Sequence, residues 1–349
     1  MNIHEKYMKR CLDLAKNGLG QTYPNPMVGR VIVHKDKIIA EGWHQRAGQA
    51  HAEVNAINQI KDQSLIKHAT LYVSLEPCSH YGKTPPCADL IIDKGFKKIV
   101  IGSIDPFAKV KGKGIQKLMA KGCEVVLGVL EDECLDLNKR FIMFHTHKRP
   151  YIILKWVESQ DGFLSPFEFC RDQNQAPVWL TNTYSKQRVH QWRSQEQAIL
   201  VGTHTALMDN PALTTRLWKG QNPLRIVIDK NLKIPKTSKI FSNEAQTLVF
   251  TSRQESDFKT TTFCQIDFKQ PILPQLLNEL HKRNIQSLLV EGGRVTLQEF
   301  INADLWDEAR VFKSPKQLKL GTKSPIFKGQ LIKSERIVED ELKFFKPIK

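Results

Sequence analysis

The stretch that most restricts what this chain can fold into is His51-Ala52-Glu53, followed by Glu76-Pro77-Cys78 and then Pro86-Cys87. One imidazole and two thiols are ligands for Zn2+. Three protein ligands leave a tetrahedral ion one open position, the mark of a catalytic rather than a closed structural site. Water held there ionises near neutral pH. The chain must therefore bring helix and turn openings together over a short strand. Residues 50–60 read as a helix with Ala52, Ala56 and Ile60 on one side, 71–75 as an apolar strand, and 88–94 as a second helix behind Pro85-Pro86. His51 and Glu53 stand two apart and diverge on a regular helical surface, so they converge only over its first turn. Open N–H groups and the dipole there favour an anion, and similar N–H groups keep Cys78 and Cys87 as thiolates. Glu53 is left to carry a proton. The pattern names hydrolytic attack on an electrophilic carbon, an aminated heterocycle foremost. The competing readings are buried structural His and Cys residues, or a closed zinc site completed by His80. The latter leaves Glu53 without a role.

Length and composition indicate two domains. The 349 residues exceed one typical domain, and 41% hydrophobic residues suffice for two cores. Seven scattered cysteines and no apolar signal segment argue against a secreted disulfide scaffold. Cys11, Cys123, Cys134, Cys170 and Cys264 are expected to be reduced and structural, in the cytoplasm. No run approaches the roughly 18 apolar residues that span a membrane. The net charge of +16 suits either nucleic acid or small phosphorylated molecules. The lysines are dispersed, with no basic stripe interleaved with aromatics, which favours the phosphorylated small molecule and no nucleic-acid partner.

The first half reads as helix 5–17, strands 28–33 and 38–43, the zinc elements, strand 98–102, helix 114–121 and strand 124–127. A mixed sheet with helices on both faces follows. A break at 145–150, ending in Pro150, sets domains at 1–146 and 147–349. The second half reads as strands 151–157, 198–201, 225–229, 247–251, 287–291 and 308–312, with helices 185–193, 272–283 and 295–301: another three-layer α/β domain. In Leu288-Leu289-Val290-Glu291-Gly292-Gly293-Arg294, glycines follow a strand and open a helix, where a pyrophosphate can approach backbone. A tight connection alone also explains them, and there is no Gly-x-Gly-x-x-Gly fingerprint. The basic segment 314–327 reads as a solvated loop over the sheet edge.

The nine-residue step from Cys78 to Cys87 departs from the usual Cys-x-x-Cys. With Pro24-Asn25-Pro26-Met27-Val28-Gly29 and Gly42-Trp43-His44-Gln45-Arg46-Ala47-Gly48, it closely resembles the deaminase half of bacterial bifunctional riboflavin-biosynthesis deaminase–reductases. Lys155, Ser159-Gln160-Asp161-Gly162, Trp179-Leu180-Thr181, Val201-Gly202-Thr203-His204-Thr205 and 209–216 follow in the order of that family's reductase half. The resemblance implies an α/β chain, with an N-terminal cytidine-deaminase-like three-layer domain and a C-terminal dihydrofolate-reductase-like three-layer domain. It implies Zn2+ on His51, Cys78 and Cys87, Glu53 as catalytic proton carrier, and NADPH. It places Asn25, His44, His80, Lys83 and Asp105 around a phosphorylated pyrimidine in the first half, and Lys155, Arg193, Leu213, Arg216 and Glu291 around it in the second. Cofactor positions are Val157, Trp179, Thr205, Asp209, Lys230, Gly293, Arg294, Val295, Thr296, Leu297, Gln298 and Glu299, with Val157 and Lys230 contributing backbone. Arg193 and Arg216 suit a ribose phosphate, because guanidinium forks pair bidentately with its oxygens. Two positions depart from the family: Phe107 stands where Asn is common, and Pro177 replaces a substrate-contacting Ser. A homo-oligomer, dimer or tetramer, is implied as well. The alternative is a zinc deaminase acting on nucleic acid or another nucleotide, with a non-catalytic C-terminal binding domain.

Overall fold

The computed structural model describes residues 2–49, 52–79, 86–106, 112–167 and 178–348, without the side chains of Glu53 and Val54. The chain divides into two compact units, Met1–Lys148 and Arg149–Lys349.

The first unit opens with α1 (Ile3–Ala15), whose start is fixed by a capping box between Asn2 and Glu5. Strands β1 (Gly29–His34) and β2 (Lys37–Trp43) form a hairpin, turning through Lys35 and Asp36 in left-handed backbone. There follow α2 (Ala52–Ile57), β3 (Thr70–Leu75), α3 (Cys87–Asp93), β4 (Lys98–Ser103), α4 (Lys113–Ala120), β5 (Glu124–Leu127), α5 (Glu131–Leu137) and α6 (Lys139–His147). The sheet order is β2-β1-β3-β4-β5, antiparallel around β1 and parallel from β3 to β5. Alternation along the strands sorts the two faces. Ile32, Leu71, Val73, Ile99 and Ile101 pack with Ala56, Ile57, Ile91 and Leu118. Val31, Val33, Tyr72 and Val100 pack with Tyr7, Met8, Cys11 and Cys134. Strands so placed lose apolar area on both sides, which is why they read as near-continuous hydrophobic runs. Two glycines let helices close on this sheet. A Cβ on Gly29 would fall 1.8 Å from the Cys11 carbonyl oxygen, and one on Gly42 would fall 3.0 Å from the Ala56 nitrogen. The Gly42 contact seats α2, the helix expected to carry the zinc chemistry, directly on β2.

The second unit contains β6 (Tyr151–Glu158), β7 (Phe163–Ser165), α7 (Thr183–Gln195), β8 (Ala198–Gly202), α8 (Thr203–Asp209), β9 (Leu224–Ile228), β10 (Thr247–Thr251), β11 (Thr261–Gln265), α9 (Ile272–Lys282), β12 (Ser287–Val290), α10 (Arg294–Asn302), β13 (Glu308–Lys313), β14 (Thr322–Lys323), β15 (Gly329–Ile337) and β16 (Asp340–Pro347). Nine strands form one sheet in the order β11-β10-β9-β8-β12-β6-β13-β16-β15. It is parallel as far as β13, and the β15–β16 hairpin adds two antiparallel strands. Helix α7 covers one face, with Trp192 against Phe312 and Phe344. Helices α9 and α10 cover the other, where Leu276, Leu280, Leu297 and Phe300 join Leu154, Trp156, Leu200 and Leu288. Both units are thus three-layered. The start of α7 is fastened by Asp340, which accepts from the Asn182 N–H (2.9 Å) and the Ser185 hydroxyl (2.6 Å). Strands β7, β11 and β14–β16 and helix α8 were not expected from the sequence. The segment 314–327, expected as a loop, contributes β14, which pairs with β7.

Candidate active sites

In the first unit the two thiols come together at the end of β3 and the start of α3. The Cys87 N–H donates to Cys78 Sγ (3.3 Å), and the Cys78 carbonyl accepts from Ala88 N–H (3.1 Å). A backbone N–H on sulfur favours the thiolate that a zinc ion requires. Glu76 sets this turn. Its buried carboxylate accepts from Gly112 N–H (2.9 Å) and Gly114 N–H (2.9 Å), and more distantly from Asp105 N–H (3.3 Å) and Ile115 N–H (3.4 Å). A Cβ on Gly114 would fall 2.2 Å from the Pro77 carbonyl oxygen, so glycine is what lets α4 approach the Cys78 turn. Asp105 is thereby held buried beside the strand end that carries Cys78. In the loop before β1 and just past β2, Asn25 Nδ2 and His44 Nε2 lie 3.1 Å apart, with His44 buried. Helix α2 starts at Ala52, which puts the backbone of Glu53 in its first turn. His51, His80, Lys83, Phe107 and Pro177, together with the side chain of Glu53, lie outside the described residues. Among the described residues no group of three His, Cys, Asp or Glu gathers as a metal site. The described part holds two candidate thiol ligands, Cys78 and Cys87, and thiols suit zinc.

In the second unit a cleft of about 1980 Å³ opens at the carboxyl ends of β6, β8, β9 and β12. At its floor Glu291 lies between two cations. Arg193 Nε and Nη2 donate to Oε1 (3.0 Å) and Oε2 (2.9 Å), and Lys155 Nζ donates to Oε2 (3.5 Å). All three side chains are nearly buried, Glu291 being 8% exposed. Burial alone would raise the Glu291 carboxyl, but the charges of Arg193 and Lys155 outweigh it and hold it down at about 2. Burial pulls Lys155 below the ordinary lysine range; Glu291 resists that change and Arg193 adds to it. The sequence reading gave the Arg193 fork to phosphate, whereas here it is spent on Glu291. Arg216 is exposed on the cleft wall, its Nη1 donating to Thr214 Oγ1 (3.1 Å).

The Gly292-Gly293 turn serves close approach. A Cβ on Gly292 would fall 2.7 Å from Val201 Cα, and Gly293 N–H donates to Thr205 Oγ1 (2.8 Å). Helix α10 then starts with no side-chain cap, leaving its first N–H groups facing the cleft beside Val295, which is 76% exposed. This geometry fits a pyrophosphate, and the cleft volume is large enough for a dinucleotide. Val157, Trp179, Thr205, Asp209, Leu213, Gly293, Arg294, Val295, Thr296, Leu297 and Glu299 all line it. Lys186 Nζ lies 4.0 Å over the half-exposed Trp179 ring. Two expected cofactor residues do not line it. Gln298 turns away on α10 to exchange hydrogen bonds with the Ile326 backbone (3.0 and 2.9 Å), and the Lys230 carbonyl is taken by Ser252.

Residues 150–345 match the RibD C-terminal domain, and residues 1–103 match the cytidine and deoxycytidylate deaminase zinc-binding region. The chain belongs to the RibD family. The riboflavin biosynthesis protein RibD of Aquifex aeolicus is 38% identical, over 99% of this chain and 98% of that one. That of Escherichia coli K12 is 37% identical, over 90% and 88%. A Thermotoga maritima crystal structure, described as a diaminohydroxyphosphoribosylaminopyrimidine deaminase/5-amino-6-(5-phosphoribosylamino)uracil reductase, is 36% identical with a TM-score of 0.90 over 99% of both chains. RibD proteins are bifunctional enzymes of riboflavin biosynthesis, a zinc-dependent deaminase and an NADPH-dependent reductase in one chain, as the resemblance implied. A nucleic-acid deaminase with an inert second domain is not favoured.

Proposed function

We propose that this chain hydrolyses the 2-amino group of 2,5-diamino-6-ribosylamino-4(3H)-pyrimidinone 5′-phosphate, releasing ammonia, and then reduces the ribosyl group of the product to a ribityl chain. The observation that carries the second half is the Lys155–Glu291–Arg193 cluster beside the Gly292-Gly293 turn, in one cleft.

In the first unit His51, Cys78 and Cys87 would hold Zn2+, which when bound makes a water acidic near neutral pH. Glu53 takes the proton of that water and returns it to the departing amine, so water and substrate amine leave as the keto product and ammonia. Asn25 and His44, 3.1 Å apart, would hydrogen-bond the pyrimidine and the ribose phosphate. In the second unit NADPH supplies a hydride when bound. That hydride would go to C1′ as the C1′ bond to the ring oxygen breaks, its electron pair staying on that oxygen. Lys155 Nζ donates the proton the oxygen then needs. Burial lowers its pKa and so eases that transfer, while Glu291, held ionised, keeps the ammonium in place. Arg216 meets the 5′-phosphate.

Two substitutions test the halves separately. Glu53→Gln should abolish ammonia release while leaving NADPH oxidation on the deaminated substrate. Lys155→Met should lower reductase kcat by about 10²–10⁴ with NADPH affinity unchanged; an unaltered kcat would remove Lys155 from the mechanism. The same reading includes a homo-oligomer in the cytoplasm. Supporting it is the edge strand β15, with Leu331 and Ile332 half-exposed. Light scattering on the eluting protein gives the oligomeric state.

A further inference from the structure

His190 is a buried imidazole on the cleft wall for which the chemistry above has no use. It sits on α7 one turn before Arg193 and is 4% exposed. The Arg216 N–H donates to its Nδ1 (3.0 Å), and the Thr214 backbone is its second partner. Arg193 Nη1 also reaches the Thr214 carbonyl (3.3 Å). So two residues of one helix face grip the same short segment.

That segment needs gripping. Within 210–216, Asn210 and Leu213 both adopt left-handed backbone (φ 38 and 52), a conformation that non-glycine residues keep only where the surroundings enforce it. Other holds on the segment are Arg225 Nη1 on the Ala212 carbonyl (3.4 Å), Asn210 Oδ1 accepting from the Lys239 N–H (2.8 Å) and, at Thr215, the N–H on Asn222 Oδ1 (2.8 Å) and the hydroxyl on the Gln221 carbonyl (3.2 Å). On either side of Thr215, the Thr214 carbonyl and the Arg216 N–H are held by α7. The contact to Arg216 requires a bare nitrogen acceptor, and the site keeps it bare. Burial first, then the charges of Arg193 and Arg216, push His190 down to about 4. A lysine or arginine in its place would add a third cation and could accept nothing.

We propose that His190 is a positioning residue that sets the Thr214-Thr215-Arg216 backbone, and through it aims the Arg216 guanidinium at the phosphate monoester of the reductase substrate. This rests on the reductase reading above.

The test uses the full chain and three readouts: kcat and KM for the phosphorylated substrate, the same for its dephosphorylated nucleoside, and NADPH affinity by fluorescence titration. His190→Phe keeps the volume and removes both hydrogen bonds. His190→Asn keeps an acceptor at the Nδ1 position. With Phe, KM for the phosphorylated substrate should rise about tenfold, the loss of one hydrogen bond that serves a charged contact. KM for the nucleoside and NADPH affinity should hold, and the Asn variant should recover most of the loss. A rise shared equally by both substrates, or a failure of Asn to rescue, overturns the proposal. Should the Phe variant lose NADPH binding through misfolding, His190→Gln moves the acceptor off the Nδ1 position while staying polar, and the same comparison decides. A wild-type enzyme that treats phosphorylated and dephosphorylated substrates alike would bring down the phosphate reading itself, and the role of His190 with it.

Discussion

Replacing Glu291 by Gln removes one negative charge and leaves its shape, so it isolates what that charge does. In the folded protein the carboxyl lies at about 2 against an ordinary 4.5. At 1.36 kcal/mol per pH unit this corresponds to about 3 kcal/mol of stabilisation of the ionised form. The side chain is 8% exposed, so solvent screens little of it. The variant also strands two buried cations side by side, Lys155 and Arg193, and breaking a buried ion pair on one side costs about 3–5 kcal/mol. For a unit of this size, about 3 kcal/mol lowers the unfolding midpoint by roughly 6–12 °C. Five of the six tryptophans, Trp156, Trp179, Trp192, Trp218 and Trp306, lie in the second unit, so tryptophan fluorescence follows its melting. The pH dependence carries its own signature. Because the folded value lies below the unfolded one, the stabilisation is complete above the ordinary 4.5 and is lost as pH falls through about 2. The gap between wild type and variant should therefore be full at pH 7 and narrow on acidification below about pH 5. Equal midpoints at pH 7, or melting curves that stay parallel down to pH 3, would refute the assignment of Glu291 as an ionised counter-charge.

Gly292→Ala should weaken NADPH binding and lower the melting temperature, since its Cβ meets Val201 Cα at 2.7 Å and overpacking costs about 1–3 kcal/mol; fluorescence titration and thermal melting check both. Arg225→Met should destabilise the second unit by about 3 kcal/mol or more in urea unfolding followed by tryptophan fluorescence. That guanidinium is fully buried and donates to the Lys239, Ser242 and Ala245 carbonyls, which lose their donor. Cys78→Ser should lose bound zinc by elemental analysis and ammonia release together, while NADPH oxidation on the deaminated substrate persists.

That Cys78 and Cys87 stand side by side was legible, because a metal-ligand motif tolerates few residue types at fixed spacing. Strands buried on both faces, such as β3, β6 and β12, were legible as apolar runs bounded by turns. The strands that escaped notice lie at edges or in the hairpin, where one side or both meet water. In β15 none of the residues is buried, so Gly329–Ile337 carries no clear two-residue alternation to read. Pairings between distant residues were also invisible. Arg193 and Glu291 were both expected at the substrate, but a separation of 98 residues conceals that they bind each other. His190 was missed outright, although its i, i+3 spacing to Arg193 puts both on one helical face and could have raised it. Glu76 stood inside the quoted motif without a role; its four backbone contacts come from 105–115 and have no local signature.

Asp340 fastens the start of α7 from a position 155 residues beyond Ser185. Helix α7 in turn carries His190 and Arg193. During synthesis on the ribosome, the first unit has every strand of its sheet once residue 127 has emerged. The second unit has its cleft-lining residues, the last of them Thr322, before it has Asp340. Domains emerging from a ribosome fold as units, N-terminal first, so nascent chains arrested between about residues 150 and 330 should already resist proteolysis in the first unit. Binding of NADPH-site ligands with full affinity should begin only after β16 has been delivered.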